Sequence, residues 1–351
     1  MKNETEHNII DKKSSWRKYT LAAAALLLLI FAVLVFILLT QEPKSDPASE
    51  KIIRQLTAEQ LNKEPNDLTY KDFAKITKLN IFSKELSDIK LLEKFTNLKE
   101  LYFQDVRFPE GKVPKWMRIL AKLGIFDLNE RFSLDLKPLE NLSNLQILHL
   151  QYTQFKNIKP LSCLNNLQHL IIIHAQLSDI EPLKKLTNLL SLGLSETQVS
   201  DLKSIKGLTK LISLEISTTH ISNLEHIKEL TNLQTLWINN TQVSNLEPLK
   251  GMINLENLYL ADTPVSNLEP IKELKNLHTL NISGSQVTDL EPLSVLTNLQ
   301  RLDIERTQVS NLESIRRLKN LQSLIIGDCP NITYNQVEDL QKALPNLEKR
   351  R

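Results

Sequence analysis

Apolar residues recur along most of the chain with a fixed spacing of 22 residues. Nine copies that begin between Leu145 and Leu321 follow one another without slippage, and three earlier copies begin at Ile76, Leu98 and Leu123. Only the step from Leu98 to Leu123 is longer, at 25 residues. A fixed period of this length is typical of a solenoid, in which each unit contacts its neighbours. The sequence therefore predicts twelve stacked coils that present one extended surface.

Each copy mixes two hydrophobic periods, as the segment from Leu233 to Asn254 shows. Leu236 and Ile238 alternate around Trp237, which is typical of a short strand with Trp237 facing outward. The second half carries apolar residues at every third position, which indicates 3₁₀ or helical turns: Leu246, Leu249 and Met252. The predicted fold is an α/β repeat solenoid, an arc with parallel strands on its concave face and 3₁₀ or short helical returns on its convex face.

Polar residues recur as regularly as the leucines. A Thr or Ser stands eight positions after most repeat starts, as Thr241 does, and an Asn or Asp stands twelve positions after, as Asn245 does. Short polar side chains of this kind bond backbone groups that tight turns leave unpaired. We therefore interpret both series as structural.

The segment from Leu233 to Leu255 resembles internalin-type leucine-rich repeats in its leucine spacing, in the Asn before an apolar residue and in the Pro of the return. Residues 51–81 are similar to the helical N-terminal caps of that family, and the segment GDCPNITYNQVEDLQKALPNL resembles a terminal cysteine-containing repeat whose helix closes the stack. The resemblance implies a helical N-terminal cap at 50–75, leucine-rich repeats at 76–329 and a C-terminal cap at 330–351. It also implies a binding protein, although repeats of this family bind many unrelated partners.

An unbroken run of 19 apolar residues, LAAAALLLLIFAVLVFILL, extends from Leu21 to Leu39. A helix of this length crosses a hydrocarbon core of about 30 Å. The alternative is a cleaved signal peptide, but the following segment TQEPKSDPAS offers no A-x-A cleavage site. The sequence thus predicts a single transmembrane helix at 20–40.

Basic residues flank this run unevenly, and they predict its orientation. Five Lys or Arg residues lie within residues 1–19, whereas they are sparser after the run. Because positive residues favour the cytoplasmic side, we expect a cytoplasmic tail at 1–19 and repeats on the other side, in the periplasm or at the cell surface. Residues 41–49 are polar with two prolines and are expected to form a short stiff linker.

Charge and motif content narrow the functional class. The 38 basic and 38 acidic residues beyond residue 19 balance each other, which disfavours a nucleic-acid partner. The chain carries no G-x-S-x-G elbow, Walker loop, H-E-x-x-H or C-x-x-C motif. We therefore expect a protein that is not an enzyme, that needs no cofactor or metal, and whose oligomeric state the sequence leaves open.

Binding is expected on the side chains that project from the strands. In the row four positions after each repeat start, Trp237 and Tyr259 fall side by side. Exposed aromatic residues with polar neighbours are typical of interface hot spots. The neighbours assigned to this partner-binding patch are Glu215, Asn240, Asp262 and Asn281. Farther along, four residues form a charged end of the same surface, interpreted as a solvated ion-pair face: Arg301, Asp303, Glu305 and Arg306. Of these, Arg301, Asp303 and Arg306 are assigned to partner binding, where they would set the orientation of the partner.

Four residues with ring side chains suggest a metal site at first sight: His149, Tyr152, His169 and His174. His169 and His174 cannot share an ion, because five residues of strand separate them by about 16 Å. A pair between His174 and Glu196 on the next coil is expected instead. The long step in the repeat holds Phe108, Trp116 and Met117, for which both burial under a longer loop and an exposed lip stay open.

Three functional hypotheses follow. The first is a membrane-anchored module that binds a protein through its concave face. The second is a structural envelope scaffold that acts through convex or lateral surfaces, and the third is a glycan-binding surface protein, since aromatic platforms also suit sugars.

Overall fold

The computed structural model describes residues 46–107, 109 and 133–350. The described chain begins with helix α1 (Pro47–Leu61), a 3₁₀ turn (Pro65–Asp67) and helix α2 (Tyr70–Phe73). Helix α1 begins three residues before the predicted cap, because Pro47 has the backbone torsion that suits a first helical turn and lacks only a donor without an intrahelical partner. The predicted helical cap is therefore present, and it includes the end of the predicted linker.

The repeats build one sheet of twelve parallel strands in sequential order. The strands are β1 (Lys78–Phe82), β2 (Glu100–Gln104), β3 (Ile147–Gln151), β4 (His169–Ile173), β5 (Ser191–Gly193), β6 (Ser213–Glu215), β7 (Thr235–Trp237), β8 (Asn257–Tyr259), β9 (Thr279–Asn281), β10 (Arg301–Asp303), β11 (Ser323–Ile325) and β12 (Glu348–Arg350).

Strands β1 to β10 are each followed by a 3₁₀ turn that returns the chain to the next strand, as the change of hydrophobic period predicts. The turns are Lys90–Lys94, Lys137–Leu139, Lys159–Cys163, Glu181–Lys185, Lys203–Ile205, Glu225–Ile227, Glu247–Leu249, Glu269–Ile271, Glu291–Val295 and Glu313–Arg317. The fold class expected from the sequence is confirmed: it is an open solenoid of parallel strands and short 3₁₀ returns.

The core lies between the strands and the returns and consists of stacked leucine rows. Leu236 is fully buried and pairs in register with Leu214 and Leu258 of the adjacent strands. Trp237, the next residue, faces outward and is half-buried. The inward and outward assignment made from the alternation of residues is therefore correct.

The prediction of a separate coil beginning at Leu123 is wrong. Strand β2 pairs directly with β3, so that Tyr102 lies beside His149 with no strand between them. A coil needs both a strand and an apolar return, and the return positions that follow Leu98 at the usual spacing hold Gly111 and Pro114. The return of this coil comes instead from residues 134–142, which makes it a single 47-residue coil with an insertion. Asp127 stands four positions after Leu123, so a coil beginning there would place it between Tyr102 and His149 in the outward row. It lies in that insertion and outside the described residues, as do Phe108, Trp116 and Met117.

The two polar series have the structural roles predicted for them. In five coils a buried Thr hydroxyl donates to the carbonyl oxygen three residues before it, at 2.6 to 2.7 Å, as Thr241 does to Ile238. The Asn and Asp side chains accept from the first N–H of the return, as Asn245 does from Glu247 at 2.9 Å. Both series hold the coil at the points where its backbone leaves the sheet.

Replacing Thr241 by valine should lower the free energy of unfolding by about 1 to 3 kcal/mol, because the buried carbonyl of Ile238 loses its donor while the shape is kept. Urea denaturation of the variant measures this loss. Ser285 is the matched control, since its buried hydroxyl has no hydrogen-bond partner among the described residues. Ser285→Ala should change stability by less than about 0.5 kcal/mol, and equal losses in the two variants would contradict the assignment.

The C-terminal end is closed by helix α3 (Tyr334–Ala343). Thr333 and Gln336 form a capping box at its start, in which the Thr333 backbone N–H donates to the Gln336 side chain at 2.8 Å. Val337 and Leu340 of this helix are buried, so the helix covers the last apolar face of the stack. Strand β12, which the sequence pattern does not predict, adds a final parallel partner to β11.

No helix in residues 46–107 or 133–350 is long and apolar enough to cross a bilayer. The predicted transmembrane helix at 20–40 and the predicted cytoplasmic tail at 1–19 lie outside the described residues.

Candidate partner-binding surface

The strip is the name used here for the outward-facing residues of strands β1 to β11 together with the outward-facing residues that follow each strand, up to the last residue before the chain leaves the sheet. That last residue, seven positions after the repeat start, has a left-handed backbone in every described coil. Ten of the eleven members have side chains, at φ of 50 to 56°, and the eleventh is Gly284 at φ 64°. These eleven residues form the rim of the strip: Ser83, Asp105, Tyr152, His174, Glu196, Thr218, Asn240, Asp262, Gly284, Arg306 and Asp328.

Trp237 and Tyr259 are paired on adjacent strands at the centre of the strip. Their ring centroids are 5.5 Å apart and their planes differ by 5°, so the rings are stacked. Stacking of this kind fixes both side chains before any ligand arrives, which reduces the entropy lost on binding. Both residues are half-buried and present a rigid aromatic platform.

The platform is continued on both sides by polar residues in the same row. Glu215 is the register partner of Trp237, and Asn281 is that of Tyr259. The carboxylate of Glu215 accepts from the hydroxyl of Ser195 at 2.9 Å, so it turns away from the aromatic pair. The side-chain oxygen of Asn281 accepts from the backbone N–H and the hydroxyl of Ser283, at 2.9 and 2.8 Å. The predicted neighbours are thus in place, but part of their hydrogen-bonding capacity is already used.

The predicted charged end also lies on the strip. Asp303 follows Asn281 in the same row, and Arg301 is exposed at the start of the same strand. Burial raises the pKa of the Asp303 carboxyl above its usual range, while the backbone N–H of Glu305, which donates to it at 3.0 Å, opposes the change.

An ion pair spans the rim of the strip across one coil. Arg306 contacts Asp262 through both terminal nitrogens, at 3.1 and 3.2 Å, although the two residues are two coils apart. The coil between them carries Gly284, where a Cβ would lie 2.2 Å from the Asp262 carboxylate. The missing side chain is therefore what allows the pair to form. Asn240, the remaining member of the predicted patch, is exposed on the same rim.

A second cluster, which the sequence pattern does not predict, lies at the N-terminal end of the strip. The Lys78 ammonium is 2.8 Å from the Glu100 carboxylate and 4.8 Å from the centre of the Tyr102 ring. Tyr102 donates to Glu100 at 3.1 Å and meets His149 edge-on at 4.6 Å. The hydrogen bond between Lys78 and Glu100 raises the pKa of the ammonium and lowers that of the carboxyl, and burial lowers the pKa of His149.

The remaining histidines do not form a metal site in the described part of the chain. His174 pairs with Glu196 as predicted, with 2.8 Å between Nδ1 and the carboxylate oxygen. Tyr152 packs against His174 at 4.6 Å. No group of three or more His, Cys, Asp or Glu side chains in residues 46–107 and 133–350 could hold an ion.

Comparison with known proteins agrees with the fold. Residues 253–295 match the family model described as Leucine Rich repeats (2 copies). An internalin (inlF) of Listeria monocytogenes superposes with a TM-score of 0.61 at 22% identity, over 86% of this chain and 96% of that chain. The fold is a leucine-rich-repeat solenoid. A leucine-rich-repeat protein of Leptospira interrogans gives a TM-score of 0.60 at 24% identity, over 81% of each chain.

Solenoids with this fold also occur in complexes. The plant peptide hormone receptor RGFR1 in complex with RGF2 has a TM-score of 0.55 at 18% identity, and the match covers 81% of this leucine-rich-repeat chain and 49% of the receptor. No curated protein matches the sequence at a significant level. At these identities the likeness establishes the fold and leaves the partner to be inferred from the strip itself.

Proposed function

We propose that this leucine-rich-repeat solenoid is a membrane-anchored recognition module that binds a protein partner on its concave face. The observation that carries the proposal is the stacked pair of Trp237 and Tyr259 at the centre of the strip. Large, rigid aromatic residues that are half-buried on a sheet face are the residue types that dominate protein interfaces when they are covered.

The charge of the strip favours a protein over a nucleic acid. The outward and rim positions of strands β4 to β9 contain no Lys or Arg, and they contain the carboxylates of Glu196, Glu215 and Asp262. Nucleic acids are bound chiefly through cationic contacts to phosphates. A phosphate backbone would therefore be repelled where the aromatic platform is most accessible.

Two further points support the proposal. The receptor in complex with RGF2 shares the solenoid fold, so a polypeptide ligand is compatible with it. The apolar run from Leu21 to Leu39 has the length of a membrane span, and the basic residues before it favour a cytoplasmic N-terminus. The proposed anchor would place the repeats outside the cytoplasm.

Site-specific photo-crosslinking of the full chain in its native membranes tests the proposal. A benzophenone amino acid at Thr235 probes the strip beside Trp237, and the same group at Lys250 probes the exposed return of the same coil. We expect the chain to stay in the membrane pellet after alkaline carbonate washing. We also expect a protein adduct from position 235 that is absent from position 250.

The competing hypotheses give different results in the same experiment. Adducts from position 250 alone would support a scaffold that acts through its convex surface. The absence of a protein adduct at both positions, together with retention on a glycan array, would support glycan binding. Release of the chain by carbonate would contradict the anchor.

A further inference from the structure

A glycine interrupts the row of outward side chains two strands before Trp237. Gly193 occupies the row that holds Ile171 on the preceding strand and Glu215 on the following one. A Cβ at Gly193 would lie 3.2 Å from the Ile171 methyl carbon and 3.8 Å from a carboxylate oxygen of Glu215. The aliphatic side chain and the carboxylate therefore approach each other over the glycine backbone. These three residues, Ile171, Gly193 and Glu215, are called the seat below.

Small side chains surround the seat, and Ile171 and Glu215 are only half-buried, so a ligand can contact these two side chains. The outward positions on both sides of Gly193 and Glu215 are serines, which have the smallest polar side chains: Ser191, Ser195, Ser213 and Ser217. The next strand carries the Trp237 ring, which is much larger. Gly193 itself is buried beneath Ile171 and Glu215, so these two half-buried side chains form the accessible surface of the seat, which lies directly beside the aromatic platform.

Glu215 has a negative charge that the described residues do not neutralise. Of the three carboxylates at the outward and rim positions of β4 to β9, Glu196 contacts His174 and Asp262 contacts Arg306. Glu215 bonds the hydroxyl of Ser195 and has no ion-pair partner within the described residues. A half-buried carboxylate of this kind attracts a cation more strongly than an exposed one, because water screens it less.

We infer that the seat receives a lysine or arginine side chain of the protein partner. The inference rests on the proposed function and adds the chemistry of the ligand to it. The aliphatic stem of the partner residue packs against Ile171, and its cationic head bonds the Glu215 carboxylate. A neighbouring residue of the partner then covers Trp237. Both parts of a long basic side chain are thereby matched, which neither an acidic nor a purely apolar side chain can achieve.

Selection of random twelve-residue peptides displayed on phage tests the inference. The bait is the full chain in nanodiscs, as wild type, as Glu215→Gln and as Glu215→Lys. Peptides selected on the wild type should be enriched in Lys and Arg over the starting library. The enrichment should vanish on Glu215→Gln, and acidic residues should replace it on Glu215→Lys. A peptide selected on the wild type should bind Glu215→Gln about tenfold more weakly, since one charge-assisted hydrogen bond is lost.

Glu196→Gln is the matched control, because it removes a carboxylate of the same strip that is already paired with His174. Binding of the same peptide to this variant should stay within about twofold. Peptides that depend on Trp237 but show no basic enrichment, or that bind Glu215→Gln unchanged, would overturn the inference and leave the proposed function intact. Peptides that bind Trp237→Ala as well as the wild type, or a failure to select any peptide, would count against both.

Discussion

Replacing Trp237 and Tyr259 together by alanine should weaken partner binding by more than about 2 kcal/mol, a loss of about thirtyfold in affinity. The two rings form one stacked unit, so their removal takes away a large rigid apolar area of the strip. The leucines behind them stay in place, because Leu236 and Leu258 are fully buried on the opposite side of the same strands. We therefore expect the double variant to fold.

Affinity is measured with the partner identified by crosslinking, and folding is followed by thermal denaturation of the same samples. Tyr70→Ala with Tyr334→Ala is the matched control, since these tyrosines are 68% and 61% exposed and lie on the two caps. The control should bind within about twofold of the wild type. Unchanged affinity in the Trp237 and Tyr259 variant would remove the platform from the interface, whichever partner is used.

The sequence predicts the strands well because the alternation of inward and outward side chains depends only on neighbouring residues of the same strand. The alternation of Leu236, Trp237 and Ile238 fixes which residues face the core, and a shift by one residue would expose every leucine of the stack. The stacked neighbours Trp237 and Tyr259 follow from this register together with the constant 22-residue step. The position of the central platform was therefore predictable from the sequence.

The sheet order at the N-terminal end was not predicted, because a second strand-like segment begins at Leu123. The apolar spacing after Leu123 matches the first half of a repeat. This spacing alone does not show whether the strand is followed by a return of its own. Gly111 and Pro114, where returning leucines are required, are the signal that could have corrected the count. The missed consequence is the contact between Tyr102 and His149, and with it the cluster around Lys78.

A sequence pattern also does not predict the hydrogen bonds and ion pairs that side chains of the strip make with one another and with the backbone. Asn281 and Asp303 were predicted as groups available to a partner, yet each accepts a hydrogen bond from the backbone two residues later. The pair of Asp262 and Arg306 depends on the absence of a side chain at Gly284 in the coil between them. Three successive coils must therefore be considered together to predict it. These hydrogen-bond and ion-pair partners depend on the three-dimensional arrangement of the coils, which an alignment of single repeats does not show.

The row of residues with a left-handed backbone is predictable from the sequence only in part. Asp, Asn or Gly occupies five of its eleven positions, and these residue types tolerate a positive φ better than others do. The remaining positions include Tyr152, Glu196, Thr218 and Arg306, which give no such signal. The turn is imposed there by the sheet and by the return on either side of it, so the tertiary structure overrides the local preference.

Leu236→Ala should lower the free energy of unfolding by about 2 to 5 kcal/mol, the range for leucines removed from a packed core. Leu236 is fully buried between Leu214 and Leu258, so the cavity would adjoin the leucine rows of both neighbouring coils. Because each coil is stabilised by the coils beside it, the damage at this central position affects the stacking on two sides.

Ile212→Ala is the matched control for this loss, since Ile212 is an aliphatic residue of the preceding coil that is 37% exposed. Its replacement should cost less than about 1 kcal/mol. Urea denaturation followed by circular dichroism compares the two variants with the wild type. Similar losses in Leu236→Ala and Ile212→Ala would mean that the leucine rows do not form the continuous core described above, and the outward position of Trp237 would then lose its structural basis.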